Sequence, residues 1–61
     1  MILYDIFKVL SDDISVLVRN QENTVIFYGS LNAIHSKYLM CSVTKLRPLD
    51  CHEVVIYIIE R

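Results

Sequence analysis

The run EVVIYIIE at residues 53–60 is apolar at six consecutive positions. As a β-strand it would present three apolar side chains to each face of a sheet, because successive strand residues point to opposite faces. One set is Val54, Ile56 and Ile58, and the other is Val55, Tyr57 and Ile59. Both faces then need cover, and a chain of 61 residues has little protein to cover the second.

Size and composition predict one folded domain over residues 1–61. A chain of this mass should fold to roughly 4,100 Å² of surface and bury about 60% of what it exposes unfolded, which is marginal for a domain on its own. The sequence is 54% hydrophobic and 21% charged, which excludes a disordered chain. The net charge of −1 gives no support to binding of nucleic acid by bulk charge.

The sequence predicts a cytoplasmic protein. The first ten residues lack the basic segment of a secretory signal, and Asp5 and Lys8 interrupt their apolar run. No uncharged apolar stretch approaches the eighteen or so residues that span a membrane. Without a secretory signal, Cys41 and Cys51 are expected to be free thiols in a reducing compartment.

The first half of the chain predicts a helix and a β-hairpin. Residues 2–10 carry a helical stripe at i, i+3, i+4 and i+7, which is favoured over a strand. That stripe is Leu3, Ile6, Phe7 and Leu10. After a turn at 11–13, strands at 14–20 and 24–30 flank a polar hairpin loop, Asn-Gln-Glu-Asn.

The second half predicts another helix and another hairpin. Ser30 can cap a helix over residues 31–40, whose stripe is Leu31, Ile34, Tyr38 and Leu39. A strand follows at 41–49, with a bulge expected between Val43 and Leu46 and an edge position indicated by Pro48. A turn at 50–52 leads into the last strand.

The element order α-β-β-α-β-β predicts an α+β fold, with a four-stranded, mainly antiparallel sheet and two short helices on one face. The other face would be bare and apolar, and such a patch is typical of a contact surface. A second copy is the most economical partner, so a homodimer through this face is expected. The predicted interface residues are Leu17, Phe27, Tyr28, Val55, Tyr57 and Ile59.

Candidate chemical groups are few, and we predict neither an enzyme nor a cofactor. His35, Cys41, Cys51 and His52 do not match a usual zinc spacing, and free structural thiols are the favoured interpretation. A Cys41–Cys51 disulfide is not expected, since the two lie at opposite ends of one strand. Cys51 and His52 are adjacent and would point to opposite faces, so a nucleophilic pair is not expected. Asp12-Asp13 indicates a turn rather than a Mg²⁺ site. One glycine in the chain argues against any phosphate-binding loop.

Three cations could contact a partner or a phosphate, namely Arg19, Lys45 and Arg47. The favoured interpretation is a solvated edge whose charge prevents sheet-to-sheet pairing. The four tyrosines are of a kind that protein interfaces favour, although each could also lie at the rim of the core.

Three segments carry a resemblance: YDIFKVLSDD at 4–13, VLVRNQENTVIFYGS at 16–30 and KLRPLDCHEVVIYI at 45–58. On this pattern of apolar and turn positions, the chain resembles small uncharacterised proteins of low-GC Gram-positive bacteria and of their phages and mobile elements. Such chains often have a glycine in the first hairpin loop, where this one has Asn-Gln-Glu-Asn. The resemblance implies action by binding other proteins, as anti-defence inhibitors do, and it brings no functional residues.

The sequence therefore favours a non-enzymatic phage or mobile-element protein that oligomerises and masks a host protein, such as an anti-CRISPR or other anti-defence inhibitor. Two alternatives stay open. One is a nucleic-acid-binding module in which Tyr28 and Tyr57 stack on bases and the three cations hold phosphates. The other is a sponge that sequesters a signalling nucleotide between subunits.

Overall fold

One short helix and four strands make up the fold. The computed structural model describes residues 1–11 and 13–60. Helix α1 spans Leu3–Phe7, and the strands are β1 (Ser15–Arg19), β2 (Val25–Ser30), β3 (Ser42–Pro48) and β4 (Glu53–Ile59). The chain exposes 4026 Å² of surface, close to the area expected for its mass, so its exposed apolar groups do not result from loose packing.

The four strands form a mixed sheet in the order β2-β1-β4-β3. The two hairpins, β1–β2 and β3–β4, are antiparallel, as the short loops predict. They join through β1 and β4, which run parallel. The segment between β2 and β3 must therefore cross the sheet from one edge to the other, and it does so on the face that α1 also covers.

The core lies between the helical segments and one face of the sheet. Eight buried side chains form it: Leu3, Ile6, Val16, Val18, Leu31, Ile34, Ile56 and Ile58. They include the first two members of each predicted helical stripe, and Phe7, Leu10, Tyr38 and Leu39 pack against them. The prediction that the helical elements cover one face of the sheet is confirmed.

The second predicted helix is replaced by two single 3₁₀ turns at Leu31–Ala33 and Ser36–Tyr38. Between them the backbone is extended, with ψ of 147° at Ile34 and 136° at His35. A polar side chain caps the second turn: the His35 Nδ1 atom accepts a hydrogen bond from the Lys37 N–H at 3.1 Å. Such local bonds compete with a continuous helix, while Leu31 and Ile34 still reach the core.

Helix α1 is also shorter than the predicted span of 2–10. Asp5 fixes its start, since the carboxylate accepts a hydrogen bond from the Ile2 N–H at 3.1 Å. Past Phe7, the Leu10 N–H still bonds to the Ile6 carbonyl at 3.0 Å, so the chain continues as a turn. Leu10 thereby keeps the core contact that its place in the stripe predicts.

The first hairpin loop uses asparagine where a glycine is often found. Asn23 has φ of 65°, in the left-handed region that asparagine tolerates better than most residues. Asn20 Oδ1 accepts hydrogen bonds from the Glu22 and Thr24 N–H groups at 2.9 and 3.0 Å. The loop type that the sequence left undecided thus depends on these two side chains.

The predicted break in the third strand is confirmed. The pairing of β3 with β4 shifts register between Val43 and Lys45. Thr44 is the extra residue, and its hydroxyl donates to the Tyr57 carbonyl at 3.3 Å.

Among the described helices, none is long and apolar enough to cross a membrane.

Candidate functional site

The face of the sheet opposite α1 has no described element over it. Residues directly paired across neighbouring strands share a face, so the register defines its members. We call this surface the open face; its principal side chains are Leu17, Arg19, Tyr28, Lys45, Arg47, Glu53, Val55, Tyr57 and Ile59. It contains five of the six predicted interface residues and all three predicted cations.

The first row across the open face is mainly apolar. Tyr28, Leu17, Val55 and Arg47 lie side by side on β2, β1, β4 and β3. Val55 is only 4% exposed although no element covers it, because the longer side chains of Leu17 and Arg47 flank it. Tyr28 is 60% exposed. The row therefore offers a preformed apolar floor with an accessible aromatic ring at one end.

The second row places a tyrosine between two cations. Tyr57 on β4 is paired with Arg19 on one side and with Lys45 on the other. The Lys45 ammonium lies 5.9 Å from the centroid of the Tyr57 ring, within the range of a cation–π contact. Arg19 donates to the Asn23 carbonyl at 2.8 Å, which ties this row to the hairpin loop.

An open groove of about 440 Å³ lies at the hairpin-loop end of this second row. Its lining is Asn20, Gln21, Asn23, Thr44, Lys45, Tyr57 and Ile59. The loop and the bulged residue of β3 form its two walls, with Tyr57 and Ile59 between them. Sequence analysis did not identify Asn23 or Thr44 as site residues, because only the loop conformation and the bulge bring them to the groove.

Phe27 does not belong to the open face, contrary to its predicted place in the interface. It is paired with Val18 and packs against the core. Phe27 is adjacent to Tyr28, and successive strand residues point to opposite faces, so the two cannot both lie on the open face. The register of β1 with β2 shifts only beyond Phe27, between Val18 and Arg19, and this shift places Val25 opposite Arg19 on the open face.

The charges of the open face are mainly positive. Arg19, Lys45 and Arg47 stand against one carboxylate, Glu53, which accepts a hydrogen bond from the Tyr28 hydroxyl at 3.5 Å. Among the described residues, the single ion pair is Lys8–Asp5 at 3.9 Å, far from this face in the fold. The three cations thus have no carboxylate within 4 Å in the described part of the chain.

The cysteines and histidines lie outside the open face, and only Cys51 and His52 are neighbours. Cys41 precedes β3 and packs at the margin of the core, whereas Cys51 and His52 are exposed in the β3–β4 turn. Both thiols are free. Within residues 1–11 and 13–60, no cluster of three potential metal ligands is present. Asp12 of the Asp12-Asp13 pair lies outside the described residues.

No family model, curated protein or solved structure matches the chain. The roles of these residues therefore rest on their geometry. That geometry singles out one extended surface, in which an apolar row adjoins a tyrosine with a cation on either side.

Proposed function

We propose that the protein is a non-enzymatic binding protein that acts stoichiometrically by contacting another protein through its open face. The observation that carries this is the combination of a preformed apolar floor at Val55 and Leu17 with accessible aromatic and aliphatic groups beside it. Tyr28 is 60% exposed and Ile59 is 41% exposed. Protein interfaces combine an apolar, aromatic centre with a polar and cationic rim in the same way.

Preorganisation supports this surface as a binding site. Its residues lie on four paired strands, so little backbone ordering is needed when a partner docks. Tyrosine adds contact area with few rotatable bonds; Tyr28 lies at the β2 end of the first row and Tyr57 in the middle of the second. A partner that covers the face would bury these side chains without any change of fold.

A more specific form of the proposal follows from the resemblance to small phage and mobile-element proteins. In this form the partner is a protein in the cytoplasm of a bacterial host, and binding masks a defence function, CRISPR interference among them. Expression of the chain in a bacterium with an active CRISPR system tests this form. Restored plaque formation by a targeted phage supports it, and unchanged interference contradicts it.

Affinity capture with matched variants tests the binding proposal itself. The face variant is Tyr28→Ala with Ile59→Ser, and the control is Val9→Ser with Met40→Ser, two residues that are 81% and 71% exposed outside the open face. A specific protein retained by the wild type and the control, and lost by the face variant, is the expected result. Calorimetry of the purified pair should then give a fixed stoichiometry. Equal retention by all three chains contradicts the proposal.

Nucleic acid is the second candidate for the same surface, because Tyr57 lies between Arg19 and Lys45. Single strands are bound by aromatic rings that stack on bases beside cations that hold phosphates. Mobility shift of a single-stranded oligonucleotide at low salt tests this candidate. A shift that is lost in Tyr57→Ala supports it, and the absence of a shift removes it.

A further inference from the structure

The open face differs from the rest of the chain in its charge. Its three cations and one carboxylate give it a net charge of +2, whereas the other described residues include two basic and five acidic side chains, a net charge of −3. Positive charge is thus concentrated on this uncovered surface of the described residues. Such separation steers a partner of opposite sign toward the face and discriminates against partners of like sign.

We infer that the protein partner presents an acidic, extended segment to the open face, with carboxylates that meet Lys45, Arg47 and Arg19 around an apolar contact at Leu17. This inference rests on the proposed function and specifies its partner. Lys45 and Arg47 are two residues apart on β3 with Leu46 between them, and both pair with open-face residues of β4.

The spacing of the cations fits an extended chain. Lys45 and Arg47 are at positions i and i+2 of a strand, about 6.7 Å apart. Side chains at i and i+2 of an extended partner have the same spacing. Arg19 lies two strands away from Lys45, at roughly 10 Å. A segment with alternating acidic and apolar residues can therefore place carboxylates at the cations and apolar groups over Leu17.

The edge-protection interpretation explains part of this pattern but not all of it. Lys45 and Arg47 lie on β3, an edge strand, where charge does discourage pairing between sheets. Arg19 lies on β1, which is an interior strand with neighbours on both sides. A cation on an interior strand gives no protection to an edge, and the bond from Arg19 to the Asn23 carbonyl at 2.8 Å leaves its positive charge on the open face beside Tyr57.

A second copy fits this surface poorly. Face-to-face pairing about a twofold axis would bring three cations of each chain toward the three of its partner, with a single carboxylate per chain to offset them. Like charges opposed at an interface are unfavourable. The homodimer expected from the sequence and a nucleic acid are thus the two competing occupants that an experiment should separate.

NMR titration of the full, ¹⁵N-labelled chain provides the test. The probes are a peptide of alternating glutamate and leucine, a peptide of alternating lysine and leucine, and a thymidine oligonucleotide. We expect the acidic peptide alone to shift the amides of Leu17, Arg19, Lys45, Val55 and Tyr57. The shifts should weaken as NaCl is raised from about 50 to about 500 mM, because exposed charges are then screened.

Charge variants complete the test. Lys45→Glu with Arg47→Glu should weaken binding of the acidic peptide about tenfold or more, and Lys45→Gln with Arg47→Gln should weaken it less. The exposed pair Lys8→Glu and Lys37→Glu, outside the open face, should leave it unchanged. If circular dichroism shows that the chain with Lys45→Glu and Arg47→Glu is unfolded, the test rests on the chain with Lys45→Gln and Arg47→Gln.

Every other result overturns the inference. Equal binding of both peptides, binding of neither, or tighter binding of the oligonucleotide contradicts an acidic protein segment. Concentration-dependent shifts of the same amides without any probe, with a dimer in sedimentation, would assign the face to a second copy. If no acidic peptide binds but the capture experiment still depends on Tyr28 and Ile59, the inference fails while the proposed function stands.

Discussion

Lys45 and Tyr57 are directly paired across β3 and β4, with the lysine ammonium 5.9 Å from the centroid of the tyrosine ring. The contact holds the cation over the sheet, on the same face as Leu17 and Val55. A positive charge and an apolar floor are thereby fixed on one rigid surface. This relationship is the basis for proposing a binding surface rather than a merely solvated edge.

The core of the sheet should dominate stability. Ile56 is fully buried on β4, so Ile56→Ala should lower the free energy of unfolding by about 2–5 kcal/mol. A chain of 61 residues has only about 3–9 kcal/mol in total. Ile56→Val should cost about 0.5–1.5 kcal/mol in urea titrations followed by circular dichroism. The control Ile59→Val, on the same strand but 41% exposed, should change stability by less than about 0.5 kcal/mol.

The pairing of β1 with β2 puts two adjacent aromatic residues on opposite faces of the sheet. Phe27 packs against the core and Tyr28 is 60% exposed on the open face. Phe27→Ala should therefore lower the free energy of unfolding by about 2–4 kcal/mol, and Tyr28→Ala by less than about 1 kcal/mol. Equal losses in urea titrations of the two variants would show that the faces are wrongly assigned.

The hairpin loop should tolerate glycine at one position only. Asn23 has φ of 65°, so Asn23→Gly should leave the melting temperature unchanged or slightly higher. Asn23→Val should destabilise the protein by about 1–2 kcal/mol, because a branched side chain is strained in the left-handed region. Thr24→Val serves as the neighbouring control, since it is an exposed residue just before β2. No loss of stability in Asn23→Val would contradict this loop geometry.

The Gln21 side-chain amide bonds to both backbone groups of Glu60, the residue that follows β4. The Gln21 side chain donates to the Glu60 carbonyl at 2.9 Å and accepts from the Glu60 N–H at 2.8 Å. Gln21→Ala should therefore speed hydrogen exchange at the Glu60 amide, while amides in the middle of β4 stay protected. Gln21→Glu should speed it less, because a carboxylate still accepts from the Glu60 N–H and loses only the bond to the Glu60 carbonyl. Glu22→Ala, in the same loop, should leave the exchange rate unchanged.

Sequence patterns predicted the elements whose side chains have a clear period. The two helical stripes and the apolar faces of β1 and β4 all reach the core, since burial is what produces those periods. The predicted bulge in β3 was visible because Val43 and Leu46 are three residues apart. The sequence also placed Leu17, Tyr28, Val55, Tyr57 and Ile59 on one surface, and the register agrees.

The remaining differences have local physical causes. The 31–40 segment has the stripe of a helix, but it forms two turns with extended backbone at Ile34 and His35, where His35 Nδ1 accepts from the Lys37 N–H. The prediction for Phe27 was wrong because Tyr28, its neighbour on the strand, takes the open face and adjacent strand residues point to opposite faces. The parallel pairing of β1 with β4 depends on how the two hairpins join. The pattern within either hairpin does not predict that arrangement.

Site-specific photo-crosslinking tests the central claim most directly, because the chain offers tyrosines on both sides of the sheet. Tyr28 lies on the open face at 60% exposure, and Tyr4 lies on α1 at 44% exposure. Each is replaced in turn by p-benzoylphenylalanine, and the chains are irradiated in bacterial cells that express them. We predict a discrete adduct with another protein from position 28 and none from position 4. An adduct from position 4 alone, or from neither position, would contradict the claim that the open face is the binding surface.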